Sequence, residues 1–549
     1  LRKPATIRLR RTTPVNKKQT ARLSGAAVLV FSLCAVFALS CRAQTSTIGT
    51  TAGRPANKEV VAERNLASAR QNPLQLRHFL LGFPKGADLH YHLSGGVYAE
   101  TFIKDAAEDG LWVNVKDKCF IRYPEETPAG TQCDEKWKKD EVVPAKAAFC
   151  DQSLYDALVD SFSMRGFVPY GSYTAHDHFF DAFGKFSGTK PVHRAEWVDE
   201  VASRAAAQNE QYLELMETPD YKKAEDVAGQ VSWTEDFAKL REELLAHGLA
   251  QNVSSSVEWF RTVEQDRREI EHCGQSGEQP ACRVAVKYIW QVLRGKPKEV
   301  VFAQAVVAFE AAQADPDSIV GINFVMPEDG YIARTDYALH MKIVKFLHQT
   351  YPAVHIGLHA GEITYGQVPT GDLCCHIRMA VEAGAERIGH GVDVMYEDQP
   401  HELMREMAAK HVMVEVNLSS NDLILGVSGQ RHPLPLYRQF RVPVALSSDD
   451  EGVSRIDLTN EYVRAVATYD LGYADLKKMV RTGLEHAFMP GSSLWAERDG
   501  FSRTVGACAN ERLGGEHPSN RCSEFLRANQ KARQQWELER RFQVFEAKL

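Results

Sequence analysis

Short apolar runs alternate with amphipathic stretches through most of the chain. Eight runs have strand length and are bounded by turn residues: 87–92, 212–216, 286–293, 320–326, 355–360, 387–390, 412–418 and 442–448. Apolar positions at helical spacing fill most of the intervals, as in 333–350 and 402–410. Strands alternating with helices predict an α/β protein with a parallel sheet, and eight of them predict a (β/α)8 TIM barrel. The interval after the first run breaks the rhythm. Residues 105–150 are charged, hold three cysteines and show no clear period, so they read as an inserted loop or subdomain. His176-Asp177-His178 then opens a probable helix whose Phe179, Phe180, Phe183 and Phe186 read as core packing rather than pocket lining. Beyond Asp450 the pattern predicts helices at 458–466 and 473–487. A polar tail, 501–549, carries Cys508 and Cys522 and ends in extra helix at about 523–548.

The N-terminal pattern differs. Residues 1–22 are basic without a single acid, and an apolar run follows from 26 to 39. That run is shorter than the roughly 20 residues a membrane span needs. With small residues at Ala38, Ser40 and Ala43 it reads as a signal peptide over 1–43, followed by a linker and N-terminal extension at 44–75. The main body is then 76–500. No transmembrane span is expected in the mature chain. Cys41 is a candidate lipid-anchor cysteine; ordinary cleavage is the alternative. The expected location is periplasmic or extracellular.

Composition narrows this further. With 44% hydrophobic and 25% charged residues the 549-residue chain is ordinary globular material. A net charge of −7 argues against a nucleic-acid partner. The eleven cysteines suit an oxidising compartment. Cys273 with Cys282, and Cys508 with Cys522, flank short polar loops that disulfides could close, but sequence does not settle pairing. No C-x-x-C motif is present.

The chemistry concentrates at predicted strand ends. Asp88-Leu89-His90-Tyr91-His92 ends the first strand, and strand alternation points His90 and His92 the same way. Alone, the pair is either a metal-ligand pair or two core or surface histidines. Four more segments end predicted strands: Leu358-His359-Ala360-Gly361-Glu362, Ile388-Gly389-His390-Gly391, Glu415 to Asn421, and Leu446-Ser447-Ser448-Asp449-Asp450. Strand C-termini of a barrel converge on one face, where active sites are built. His90, His92, His359 and Asp449 would supply three imidazoles and a carboxylate to one metal with an open position, the donor set of a catalytic zinc site. His355, deeper on the strand of His359, reads as barrel core. Glu415 and Asn417 either orient ligands or make strand-end hydrogen bonds.

His-x-His, His-Ala-Gly-Glu, Gly-His-Gly and Ser-x-Asp-Asp, in this order, resemble the adenosine deaminases of the metal-dependent amidohydrolase superfamily, over about residues 80–490. The export signal and the cysteine-bearing insertion resemble the secreted adenosine-deaminase-related growth factor branch. The resemblance implies one zinc per chain on His90, His92, His359 and Asp449. His390 would take a proton from water and orient it, and Glu362 would protonate the purine at N1. Asp450 would bond N7 or help orient the nucleophile. It further implies a small purine nucleoside as partner: adenosine or 2′-deoxyadenosine converted to inosine or 2′-deoxyinosine plus ammonia.

Two departures bear on the substrate. Ser94 stands where many relatives carry an aspartate that contacts ribose, and Met326 stands where relatives carry a glycine whose N–H contacts purine. They leave open deamination of adenine or a modified nucleoside. An extracellular binding or signalling protein on a deaminase scaffold is the alternative of another class.

Overall fold

The computed structural model describes residues 58–123 and 141–549. The export segment 1–43 with Cys41, the stretch 44–57, and residues 124–140 with Cys133 lie outside the described residues.

All eight apolar runs form strands, and together they close a barrel. Strands β1 (Gly86–His92), β2 (Glu210–Glu217), β3 (Ala285–Leu293) and β4 (Ile319–Val325) pair side by side, all parallel. Strands β5 (Gly357–Ala360), β6 (Arg387–His390), β7 (Met413–Val416) and β8 (Val444–Leu446) do the same. Parallel bridges Ile322–Ile356 and Tyr91–Asp449 join the two runs, so neither keeps a free edge. Side chains lock the second seam: Asp88 on β1 accepts the Ser448 N–H at 3.0 Å and its hydroxyl at 2.6 Å. Every residue of β2, β4 and β5 to β8 is buried, as parallel strands covered on both faces must be. The helix Lys298–Ala314 is apolar nearly all round because helices Phe237–Leu244 and Ala250–Ile270 cover its outer side.

The inner barrel also holds a charged layer. Arg387 at the start of β6 pairs through Nη2 with Glu214 at 2.6 Å and through Nε with Glu415 at 2.6 Å. Its guanidinium lies 3.7 Å from the Phe488 ring centroid.

Between β1 and β2 the chain makes a long excursion. The segment expected at 105–150 contains a three-stranded antiparallel sheet (Trp112–Asn114, Cys119–Ile121, Val142–Pro144). Helices Gln152–Ser161, Ala175–Lys185 and Arg194–Ala207 follow. A second excursion, between β2 and β3, ends in the Cys273–Cys282 disulfide. Cys508–Cys522 is also bonded, and so are the adjacent Cys374 and Cys375, a pair the loop pattern did not flag.

Three expectations need correction. Part of the linker assignment fails: Lys58–Ala69 is a helix, and it precedes the helix Pro73–Gly82, which leads into β1 as the pattern over 71–86 predicts. Ala62, Leu66 and Ala69 bury one stripe of the first, and its alanines favour helix. His355 is not barrel core; it precedes β5, keeps 45% of its side chain exposed and pairs with Glu386 at 2.7 Å. The predicted aromatic helix forms, but Phe179, Phe180 and Phe183 also wall a cavity at the barrel mouth. The C-terminal helix Gln530–Ala547 buries Trp536, Leu538 and Phe542, and its Phe545 meets Phe79 edge-on at 5.2 Å. Among the described residues no helix is long and apolar enough to cross a membrane.

Candidate active site

The predicted residues meet at the C-terminal rim. His90 and His92 end β1, His359 lies on β5, His390 ends β6, and Asp449 and Asp450 follow β8. One ligand atom from each of His90, His92, His359 and Asp449 falls within 4.8 Å of the others. His92 Nε2 is 3.2 Å from His359 Nε2 and 3.4 Å from Asp449 Oδ1, and His90 Nε2 is 3.5 Å from the same oxygen.

Each of these imidazoles is oriented through its other nitrogen. Nδ1 of His90 donates to Glu415 at 2.6 Å, that of His92 to the Gln291 carbonyl oxygen at 3.0 Å, and that of His359 to the Asn323 carbonyl oxygen at 2.9 Å. An acceptor on Nδ1 places the lone pair on Nε2, the side facing the cluster. Buried His90 Nε2 has no hydrogen-bond partner. Burial and the neighbouring imidazoles push His359 far below the ordinary range, and burial brings His92 down to about 4, so both are neutral. Burial opposes a charge on His90 as well, but Asp449 and Glu415 outweigh it and lift the group to about 10. The cluster thus favours a cation at His90, and a divalent ion would displace that proton. Burial works against the Asp449 carboxylate, yet the His90 contact holds it far below its usual range. Three imidazole nitrogens and a carboxylate suit a borderline metal such as zinc.

His390 is held differently. The Leu434 N–H donates to His432 Nδ1 at 3.1 Å; His432 Nε2 donates to the Asn421 carbonyl at 3.1 Å; the Asn421 amide donates to His390 Nδ1 at 2.9 Å. A backbone N–H cannot reverse its role, so the chain of donors fixes the amide orientation and leaves the proton of neutral His390 on Nε2. Burial lowers His390 to about 3, keeping it neutral. Nε2 lies 3.5 Å from Glu362 Oε1 and 4.0 Å from Asp449 Oδ2. In this tautomer His390 is a donor that orients an oxygen rather than an open base.

Burial, then Asp449, then Glu328 push Glu362 well above the usual carboxylate range. The strand end that carries it is clamped by Glu328, which accepts the Gly361 N–H at 3.0 Å, the Glu362 N–H at 2.8 Å and His376 Nδ1 at 2.5 Å. Burial and Asp449 likewise raise Asp450, whose Oδ1 is buried without a partner. Two acids kept protonated in a pocket are hydrogen donors. The close approach of Asp450 requires glycine at 95: a Cβ there would lie 1.5 Å from Asp450 Oδ1.

His92, Ser94, Met326, His359, Glu362, Asp449 and Asp450 border a cavity of about 470 Å3, shared with Phe179, Phe180 and Phe183. Ser94 sits in the short helical turn directly after β1. Met326, His390 and Asp449 have φ of +89°, +68° and +66°, a region side chains avoid. Such strain collects where a site is over-determined by its surroundings. Sequence inspection missed Gln291, Asn421 and His432 as orienting groups and the three phenylalanines as walls. Gln291 was detectable as a polar residue inside the apolar run of β3; His432 carries no local signal.

A parallel eight-stranded barrel with a metal-type cluster at its C-terminal rim is the architecture of a metal-dependent hydrolase. The family model for adenosine deaminase matches residues 193–496, and the chain belongs to the adenosine deaminase family. The adenosine deaminase of Clostridium perfringens (strain ATCC 13124) is 33% identical over 135 residues, which are 24% of this chain and 37% of that protein. That of Shewanella loihica is 36% identical over 112 residues, 20% of this chain and 33% of that protein. The chain thus aligns with about a third of the length of these relatives. Among solved structures, an adenine deaminase from Arthrobacter aurescens shows a TM-score of 0.47 at 18% identity, covering 74% of this chain and 94% of that one.

Proposed function

We propose that the chain hydrolytically deaminates C6 of a 6-aminopurine nucleoside, with adenosine and 2′-deoxyadenosine as parent substrates. The observation that carries this is one pocket holding both the His90–His92–His359–Asp449 cluster and the protonated Glu362. His90, His92, His359 and Asp449 would hold one zinc ion. Bound there, the ion supplies Lewis acidity that makes water nucleophilic near neutral pH. Glu362 donates its proton to ring N1 as the oxygen adds at C6. His390 Nε2–H orients the attacking oxygen, and Asp450 donates to N7. The Phe179, Phe180 and Phe183 wall stacks the purine and excludes water. As the C6–N bond breaks, the hydroxyl proton of the adduct passes to the departing amino nitrogen, so ammonia leaves and the 6-oxo purine, protonated at N1, remains.

Export is proposed on separate grounds: the basic and apolar pattern of residues 1–43, with the Cys273–Cys282 and Cys508–Cys522 disulfides as support. A second substrate class, adenine or modified nucleosides, is favoured by Ser94, which removes the ribose-facing carboxylate of relatives. Ammonia release from adenosine, 2′-deoxyadenosine, adenine and AMP tests the assignment. Turnover of at least one nucleoside form is expected. No compound converted faster than in buffer would refute it.

A further inference from the structure

The cavity has two electrically different ends. Its carboxyl groups, Glu362, Asp449 and Asp450, all belong to the inner end beside the histidines. One further charged side chain borders it, Lys296. Lys296 follows β3 by three residues, past Gln291, the residue that orients His92. Five residues of chain reach at most about 18 Å, so Lys296 can stand at the mouth while Gln291 stands at the floor. Its ammonium lies 5.0 Å from the centroid of the Tyr221 ring, itself 37% exposed. Among the described residues Lys296 forms no ion pair with a carboxylate. A cation without a carboxylate partner, bordering the cavity beside Leu293, Val325 and Pro327, is a site for an anion.

We propose that Lys296 and Ser94 make this pocket selective for a 6-aminopurine nucleoside 5′-monophosphate. The proposal rests on the deaminase reading and deepens it. With C6 against the histidine cluster, the sugar side of a purine faces outward. A phosphate carried there meets the Lys296 ammonium, a compact point charge suited to phosphate. Ser94 completes the selection: a carboxylate at that position would repel the anion, whereas a hydroxyl donates to it. The Tyr221 ring lies beneath the Lys296 ammonium and positions it before the ligand arrives.

The test compares kcat/KM for AMP and adenosine in the wild type and in Lys296→Met, at low and high salt. AMP is the better substrate of the wild type. Lys296→Met lowers kcat/KM for AMP at least tenfold more than for adenosine, the scale of a lost charge-assisted hydrogen bond of about 1.5–3 kcal/mol. Added salt weakens AMP turnover selectively. Calorimetry with IMP and inosine on the same two proteins gives a second readout that needs no turnover. IMP binds more tightly than inosine to the wild type, and the variant loses the difference. Adenosine preferred over AMP, equal losses on both substrates, or equal affinity for IMP and inosine overturns the proposal. Absence of turnover with IMP still preferred removes the deaminase assignment and leaves the phosphate site standing.

Discussion

Arg387 and His390 lie three residues apart on β6, yet they belong to two buried layers that treat charge oppositely. In the lower layer the Arg387 cation faces Glu214 and Glu415, each at 2.6 Å, and the Leu89 and His486 carbonyls accept from it. Its charge is answered within the protein. In the upper layer the Nε2 atoms of His90, His92 and His359 crowd Asp449, and among the described residues no arginine or lysine pairs with that carboxylate. That charge balance is left open to a cation from outside. Glu415 joins the two, giving Oε1 to Arg387 and Oε2 to His90. The difference teaches how to tell a structural charged layer from a functional one: ask whether a permanently charged side chain of the protein closes the balance, as Arg387 does below and nothing does beside Asp449.

Substitutions in each layer should therefore fail in different ways. In the upper layer, Glu362→Gln should cut kcat by about 10²- to 10⁴-fold with Tm and metal content unchanged, read by ammonia release, thermal melting and elemental analysis. The wild-type pH profile should agree. Glu362 acts as an acid, so it works below its folded pKa, which lies well above the usual 4.5. Activity should extend above the pH range in which an ordinary carboxyl stays protonated and fall on the alkaline side; activity that rises as Glu362 deprotonates would contradict the assignment.

In the lower layer, Arg387→Met leaves buried Glu214 and Glu415 without their shared arginine. A loss of about 3–5 kcal/mol of stability is expected, seen as a lower denaturant midpoint or loss of soluble protein. A variant as stable as the wild type would erase the distinction between layers. Glu415→Gln tests the joint. It should weaken metal affinity by about 10- to 100-fold through the misoriented His90 ring, measured by competition with a chelator. The smallest effect is expected at Met326. Met326→Gly removes a side chain held at φ +89° and should raise stability by about 1 kcal/mol in a denaturant titration.

The same contrast explains what could be seen in the sequence. The eight strands were legible because parallel barrel strands, buried on both faces, read as apolar runs. His90, His92, His359 and Asp449 were legible because ligands must stand at strand ends, where short motifs betray them. Glu415 was visible beside them but ambiguous: its role depends on Arg387 and His90, residues 28 and 325 positions away. The His432–Asn421–His390 chain was invisible, since hydrogen-bond direction is set by where the Leu434 N–H points. The helix at 58–69 was obscured by its polar surface, and its narrow stripe of alanine and leucine gives little periodic signal. The phenylalanines of Ala175–Lys185 look alike in sequence whether they fill a core or wall a cavity.

One measurement bears on the central claim most directly: ammonia release from AMP and adenosine by the protein stripped of metal and then titrated with zinc. The account predicts no turnover in the stripped protein and full recovery at one zinc per chain. Turnover that survives stripping, or that zinc binding at His90, His92, His359 and Asp449 fails to restore, would contradict it.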